Sequence, residues 1–110
     1  MAANGQSFAN LYGTCSAPSI APMTASDGAT ASFTIGFYNT CSGVNYNFTL
    51  NTTTGISLSS IPVGTYNVSI APVGGTGTYT YTIDGFVQHT TSAIFYGITL
   101  SSSSNTLIIH

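Results

Sequence analysis

From residue 30 onward, apolar and polar residues alternate with a period of two, which is typical of strands with one buried and one solvated face. In TASFTIGFY, residues 30–38, Phe33, Ile35 and Phe37 fall on one face and Thr34 on the other. The same alternation predicts strands in VNYNFTL (44–50), GISLSSI (55–61), GTYNVSIAP (64–72), SAIFYGITL (92–100) and TLIIH (106–110). The predicted apolar faces of the longer segments comprise Val44, Tyr46, Phe48, Leu50, Tyr66, Val68, Ile70, Ile94, Tyr96, Ile98 and Leu100.

A β-hairpin is predicted in TYTYTIDGFVQHT, residues 78–90, where Asp84 and Gly85 separate two alternating runs. Asp-Gly suits a two-residue type I′ turn, because that turn needs positive φ angles at both positions. The turn fixes the register, and the predicted pairs are Ile83 with Phe86, Tyr81 with Gln88, Tyr79 with Thr90, Thr82 with Val87, and Thr80 with His89. We expect the face that carries both tyrosines to lie in the core.

Together these runs predict an all-β fold, an antiparallel β-sandwich of immunoglobulin-like or jelly-roll type with seven to eight strands. A chain of 110 residues is long enough for one core and too short for two. Residues 26–110 are therefore predicted to form a single sandwich domain, preceded by an extended N-terminal segment or arm over residues 1–25. This segment either packs as an edge strand of its own sandwich or pairs with a neighbouring molecule.

The segment GISLSSIPVGTYNVSIAP, residues 55–72, carries an apolar residue, a Pro-x-Gly turn and a GTY-x-V strand in succession. It resembles the strand–turn–strand signature of immunoglobulin-like modules of the carboxypeptidase-regulatory and Cna-B type. The resemblance covers these residues only and implies an immunoglobulin-like sandwich. Gram-positive pilin modules of that kind often carry a Lys–Asn isopeptide bond, which this chain cannot form because it has no lysine.

The chain contains no Lys, Arg or Glu, and its only carboxylate side chains are Asp27 and Asp84, for a formal net charge of −2. Binding to nucleic acids and to anionic lipid headgroups depends on cations, so both are excluded as functions. Schiff-base lysines, phosphate-binding lysines and arginine clamps are excluded for the same reason. A net charge near zero removes the repulsion that keeps protein molecules apart, which favours self-association.

Cys15 and Cys41 are the only cysteines, and their spacing matches no compact metal-binding motif. We predict a disulfide bond between them, which would contribute about 3 kcal/mol by restricting the unfolded chain. The alternative is two buried thiols. A disulfide indicates a compartment outside the reducing cytoplasm. No apolar run approaches the length of a membrane span, so membrane insertion is not predicted.

Few residues of the chain could carry out chemistry, because charged side chains are so rare. Asp27 and Asp84 each precede a glycine and are interpreted as turn residues rather than as a catalytic pair. His89 and His110 are isolated along the chain and are interpreted as exposed surface residues rather than metal ligands. The VGGTGT loop lacks the helix and the lysine of a phosphate-binding loop. No cofactor or metal is therefore predicted.

Three Asn-x-Ser/Thr sequons mark candidate glycosylation sites at Asn47, Asn51 and Asn67. Asn47 and Asn67 are predicted on the polar faces of their strands, and Asn51 in a turn. These sites would carry glycans only if the chain passes through a glycosylating secretion route.

These observations predict a non-enzymatic structural subunit that assembles with copies of itself in an extracellular structure. That structure is either a surface filament, such as a pilus-like fibre, or the coat or decoration layer of a virion. The predicted contact segments are the N-terminal arm, residues 1–14, and residues 106–110, because both are extended and apolar. The alternative is a carbohydrate-binding or adhesin module that contacts glycans through exposed Tyr and Asn side chains.

Overall fold

The structure is a computed structural model, and it describes residues 19–27, 31–51, 56–58 and 61–110. These residues form nine β-strands and no helix, and so no helix able to cross a membrane, which confirms the prediction of an all-β fold. The strands are β1 (Met23–Asp27), β2 (Phe33–Asn39), β3 (Asn45–Leu50), β4 (Ile56–Leu58), β5 (Gly64–Pro72), β6 (Tyr79–Ile83), β7 (Phe86–Thr90), β8 (Ala93–Leu100) and β9 (Asn105–Ile109).

The described strands form two sheets. A five-stranded sheet has the order β4-β1-β9-β6-β7, and a four-stranded sheet has the order β3-β2-β5-β8. Neighbouring strands are antiparallel except β1 and β9, which run parallel. The alternation of apolar and polar residues does not predict β1. This strand spans residue 25, the predicted boundary between the arm and the domain. With β1 included, the described strands number nine, against the predicted seven to eight.

The inner faces of the two sheets share one hydrophobic core. In β2 the predicted alternation holds along the whole strand: Phe33, Ile35 and Phe37 are buried, and Thr34 and Tyr38 are exposed. Full burial of a large apolar side chain contributes about 1.5–3 kcal/mol, so the alternating residues together dominate the stability. The largest fully buried side chains in strands are Met23, Phe33, Ile35, Phe37, Leu50, Tyr66, Ile70, Tyr81, Ile83, Leu100 and Leu107.

Aromatic rings join the two sheets. Phe33 of β2 packs edge-to-face against Tyr79 and Tyr81 of β6, with ring centroids 4.9 and 5.8 Å apart. Within the four-stranded sheet, Phe37 makes the same kind of contact with Tyr66 of β5, at 6.2 Å. Such pairs contribute about 0.5–1.5 kcal/mol each beyond the burial of their area. The prediction that the tyrosines of β6 face the core is confirmed.

The hairpin of β6 and β7 has the predicted register in all five pairs. Asp84 and Gly85 have φ angles of 46° and 90°, as a type I′ turn requires. Asp84 also bonds beyond the turn. Its Oδ1 accepts a hydrogen bond from the backbone N–H of Thr106 at 2.7 Å, and its own N–H donates to the Thr106 carbonyl at 3.0 Å. The aspartate therefore fastens the hairpin to β9.

Part of the predicted core is wrong, because β8 contains a β-bulge. The alternation predicts Ile94 and Tyr96 inside, but these side chains are 48% and 74% exposed. Gly97, with a φ of 69°, adds an extra residue opposite Asn67, so the alternation shifts by one position. The Gly97 N–H donates to Asn67 Oδ1 at 3.1 Å, which ties the bulge to β5. Beyond the bulge, Ile98 is buried as predicted.

The prediction that residues 106–110 form an edge is wrong. Most of this segment belongs to β9, which lies between β1 and β6 and pairs with both. Leu107 and Ile109 are fully buried, so these two apolar residues pack into the core instead of forming an exposed edge. Val44, predicted on the apolar face of β3, precedes that strand and is exposed. The other predicted contact segment, residues 1–14, lies outside the described residues.

Two buried amides organise connections between strands. Asn39, 3% exposed, accepts hydrogen bonds through Oδ1 from the backbone N–H groups of Cys41 and Ser42, both at 2.9 Å. Asn105, also 3% exposed, accepts from the N–H of Ser101 at 3.1 Å and donates to its carbonyl at 3.0 Å. Each amide therefore pairs backbone groups that the strand ladders leave unbonded.

The two buried tyrosine rings have hydroxyl groups that are only part-buried. Tyr66 Oη donates to the Pro62 carbonyl at 2.6 Å, and Tyr81 Oη donates to the Thr91 carbonyl at 2.5 Å. Burial raises the pKa of both hydroxyls above the ordinary value of 10.0, because the tyrosinate ion is poorly solvated there. The folded state therefore favours the protonated form more strongly than the unfolded state does.

We expect the free energy of unfolding to fall at alkaline pH. A pKa that folding raises gives stability that is fully present below pH 10.0 and is lost as the pH rises through the folded value. Urea unfolding between about pH 8 and about pH 12 measures this. Tyr81→Phe should weaken the alkaline decline and cost about 1 kcal/mol at neutral pH, through the lost hydrogen bond. An unfolding free energy that stays constant across this range would contradict the expectation.

Cys41 is disulfide-bonded. Cys15 lies outside the described residues, so its pairing with Cys41 stays a prediction. We expect neither thiol to react with an alkylating reagent until a reductant is added, and each to take one label afterwards, as measured by intact mass under denaturing conditions. Labelling of both thiols without reduction would show that the predicted bridge is absent.

Candidate functional site

The backbone places the two aspartates on opposite flanks of β9. Asp84 lies in the β6–β7 turn beside Thr106, whereas Asp27 ends β1 beside Ile109. These positions are roughly 10 Å apart along β9 and roughly 10 Å apart across it. The carboxylate of Asp84 is engaged with a backbone N–H, which confirms its role as a turn residue. The side chain of Asp27 lies outside the described residues, so its turn role stays a prediction.

The fold aligns the two histidines that the sequence separates. Thr80 lies between His89 and His110 on the outer face of the five-stranded sheet. Thr80 exchanges backbone hydrogen bonds with His110 at 2.6 and 3.0 Å, and its Oγ1 lies 2.9 Å from His89 Nδ1. Both histidines are exposed, as predicted. Within the described part of the chain, no group of three or more His, Cys, Asp or Glu could hold a metal ion.

The three sequon asparagines differ in accessibility. Asn47 is exposed on the outer face of β3, and Asn51 is exposed just after that strand. The two residues that follow Asn51 lie outside the described residues. Asn67 is half-buried, and its Oδ1 holds the N–H of Gly97 in the bulge. A glycan would therefore meet the fewest structural constraints at Asn47.

The outer face of the four-stranded sheet consists of amides and hydroxyls rather than charges. Asn47, Gly36, Ser69 and Ile94 lie side by side in one row across β3, β2, β5 and β8. Gly36 has no side chain, so the row dips there and a groove of about 480 Å³ opens above it. A Cβ at position 36 would lie 3.0 Å from Ser69 Oγ and 3.3 Å from Asn47 Oδ1. We call this depression the Gly36 groove.

The next row of the same face exposes an aromatic ring between two amides. Tyr38, 44% exposed, has Asn45 on one side and Asn67 on the other. On β8, Tyr96 is 74% exposed. These are the tyrosines that strands leave on the surface, whereas Tyr81 of the hairpin is fully buried.

Large apolar side chains are exposed on two edge strands. Among the described strands, β7 ends the five-stranded sheet, and β8 ends the four-stranded sheet. Phe86 and Val87 of β7 are 59% and 60% exposed, and Ile94 and Tyr96 of β8 are 48% and 74% exposed. We call these four residues the edge patch.

One side chain connects the two edge strands. The Gln88 amide donates through Nε2 to the Ile94 carbonyl at 2.7 Å and accepts through Oε1 from the Ile94 N–H at 3.3 Å. The amide therefore occupies the position that a neighbouring strand would take at Ile94. It also brings β7 and β8 to the same side of the molecule.

The sequence predicts neither the Gly36 groove nor the edge patch. Both depend on which distant strands become neighbours, and local alternation does not contain that information. One available signal is Gly36 itself, because a glycine inside an alternating strand often marks a close approach of another group. Another is the adjacent pair Phe86 and Val87, where alternation requires one polar residue.

Comparison with known proteins adds no relative from which a function could be transferred. The chain matches no family model, no curated protein and no solved structure. Its function is therefore argued from the geometry of the groove and of the edge patch.

Proposed function

We propose that this protein is a non-enzymatic structural subunit that assembles with copies of itself outside the cell, in a surface filament or in the coat or decoration layer of a virion. The edge patch carries the proposal, because its four large apolar side chains lie exposed on two adjoining edge strands. An open, apolar strand edge is a template for pairing with another chain.

Proteins that remain monomeric protect their edge strands with lysines, prolines, inward-pointing charges or short strand lengths. The sequences of β7, FVQHT, and β8, AIFYGITL, contain neither a proline nor a charged residue. A bulge interrupts β8 at Gly97, whereas β7 continues without irregularity through all five of its pairs with β6. We therefore assign the main contact to β7.

The hairpin register determines which backbone groups of β7 face outward. In a two-residue hairpin the pair next to the turn is hydrogen-bonded, so Phe86, Gln88 and Thr90 bond to β6. The N–H and C=O groups of Val87 and His89 then point toward the open edge. A strand from a second molecule would bond to these groups and cover the apolar side chains beside them.

The low net charge of the chain favours a second copy of the same chain as its partner. The formal net charge is −2 and there are no cationic residues, so a strongly anionic partner would find no opposite charge. Two copies of the chain repel each other only weakly, because each carries so little charge. Because the chain has no cationic residues, we propose no nucleic-acid partner. We propose no insertion into a membrane, because no apolar run in the sequence approaches the length of a membrane span.

Within this proposal we assign the fold to the immunoglobulin-like type rather than to the jelly-roll type. The resemblance over residues 55–72, which include β4 and β5, supports this assignment. Immunoglobulin-like sandwiches are common among cell-surface domains. A disulfide-bonded Cys41 fits an extracellular location, since disulfides persist mainly outside reducing compartments.

We expect Val87→Lys to prevent assembly without unfolding the protein. The lysine would place a charge beside the open edge of β7, where an incoming strand would have to desolvate it. The matched control is Val73→Lys, because Val73 is 59% exposed against 60% for Val87 but lies in a turn outside the strands. Electron microscopy and sedimentation velocity of both variants and the unmodified chain measure the outcome.

The control separates a contact at β7 from a general effect of added charge. Val73→Lys should assemble as the unmodified chain does, and Val87→Lys should remain monomeric with an unchanged circular dichroism spectrum. Normal assembly of Val87→Lys would exclude β7 as the contact. A monomeric unmodified chain at all concentrations would exclude the proposed function itself.

We expect the assembly to be almost indifferent to ionic strength. Without cationic residues the contacts cannot depend on salt bridges, and screening acts only on charges. Sulfate should strengthen the assembly, since it favours the burial of apolar surface. Sedimentation in increasing sodium chloride and in ammonium sulfate tests both expectations. Dissociation in about 1 M sodium chloride, where the screening length is only about 3 Å, would contradict the proposed contact.

A further inference from the structure

The Gly36 groove is an open depression that is large enough to hold a small molecule. Its volume of about 480 Å³ falls within the roughly 300–1,000 Å³ that is typical of ligand pockets. Gly36 forms the floor, and side chains from all four strands of the sheet or their flanking residues form the walls. The polar lining residues are Thr34, Asn47, Thr49, Ser69 and Ser92.

The groove contains no charge of either sign. Asp84 lies on the other sheet, and Asp27 ends a strand of that sheet. Ligands such as phosphates, nucleotides and carboxylates are normally held by cationic side chains, which this chain lacks. A cationic ligand would likewise find no carboxylate among the lining residues. The electrostatics of the groove therefore select a neutral ligand.

Much of the hydrogen-bonding capacity of the groove is unused by the protein. Of the polar side chains that line the groove, only the hydroxyl of Thr34 makes a hydrogen bond to another described residue, a long one of 3.4 Å to the Ala71 carbonyl. The amide of Asn47 offers two donor hydrogens and one acceptor oxygen, and the hydroxyls of Thr49 and Ser69 each donate and accept. A ligand rich in hydroxyl groups, which also donate and accept, matches this set.

Apolar surface lies beside these polar groups. Ile94, 48% exposed, forms the wall at the β8 side of the groove. Tyr38 lies two residues from Gly36 on the same face of β2, roughly 7 Å away, with its ring 44% exposed. Sugar rings present C–H faces as well as hydroxyls, so they can pack against such a ring while their hydroxyls bond to amides.

We propose that the Gly36 groove binds a neutral oligosaccharide. Asn47, Thr49 and Ser69 bond to the sugar hydroxyls, and Tyr38 and Ile94 contact the C–H faces of separate sugar rings. This site shares Ile94 with the edge patch, but it lies on the other sheet from β7 and does not depend on the β7 contact of the proposed assembly. The protein would thus attach to glycans through one face, whether or not copies of the chain join at their edges.

A glycan array that carries neutral and anionic oligosaccharides tests the proposal. The full chain is produced in a bacterial host without N-glycosylation, so that no glycan on Asn47 occupies the groove. We expect specific binding to neutral glycans, among arrayed glucans, mannans, galactans and chitin oligomers, and none to sulfated or uronic-acid glycans. Isothermal titration with the strongest neutral glycan of the array then gives the affinity.

Gly36→Val fills the groove without straining the backbone, because Gly36 has an ordinary strand conformation and its nearest neighbours are flexible side-chain ends. We expect this variant to lose about tenfold or more of the affinity and to keep its melting temperature. The matched control is Thr106→Val, which places the same residue on the exposed outer face of the other sheet. Thr106→Val should bind as the unmodified chain does.

Asn47→Ala and Tyr38→Ala provide the same test if Gly36→Val fails to fold, because both residues are exposed. Each should weaken binding while leaving the assembly state, measured by sedimentation, unchanged. Absence of binding to every neutral glycan would overturn the proposal. Binding that all three variants retain, or binding restricted to anionic glycans, would overturn it as well.

Discussion

The packing of Phe33 against Tyr79 and Tyr81 is the contact on which the rest of the structure depends. Phe33 belongs to the four-stranded sheet and both tyrosines to the five-stranded sheet, so these three rings hold the two layers together. A chain without Lys or Arg has no strong ion pairs to add, and apolar burial has to supply the cohesion. Once the inner faces are joined, the outer faces and the edges have fixed positions. The Gly36 groove and the edge patch are consequences of that arrangement.

The alternation of apolar and polar residues was sufficient to predict strand faces and register where it runs without interruption. The inward residues of β2 and β5, and the full register of the β6–β7 hairpin, follow from the period of two and from the Asp84-Gly85 turn. In these elements the residues that decide the structure are adjacent in sequence, so their chemistry can be read directly. The all-β class and the core positions of the hairpin tyrosines were predictable for that reason.

The same alternation gave wrong predictions where residues far apart in the sequence determine which face or which sheet position a segment takes. The bulge at Gly97 reverses the faces of Ile94 and Tyr96, and Asn67 of β5 binds the extra residue. The central position of β9 depends on its pairing with β1 and β6, which the apolar sequence of residues 106–110 does not encode. The Gly36 groove also depends on residues that are far apart in the sequence. Its floor, Gly36, is visible in the sequence, but its walls come from strands far apart along the chain.

The central position of β9 has a consequence for the order of folding. β9 is the last of the described strands to be synthesised, yet it separates β1 from β6 and pairs with both. Its pairing with β1 joins residues about eighty positions apart, such as Met23 and Asn105. Such non-local pairing slows folding, because the entropy of closing a long loop is lost before the contacts form. The four-stranded sheet is complete once residue 100 has been synthesised, whereas the five-stranded sheet has to wait for residues 105–109. Until then β1 can pair only with β4 and β6 only with β7, so each presents one open edge that a molecular chaperone would recognise.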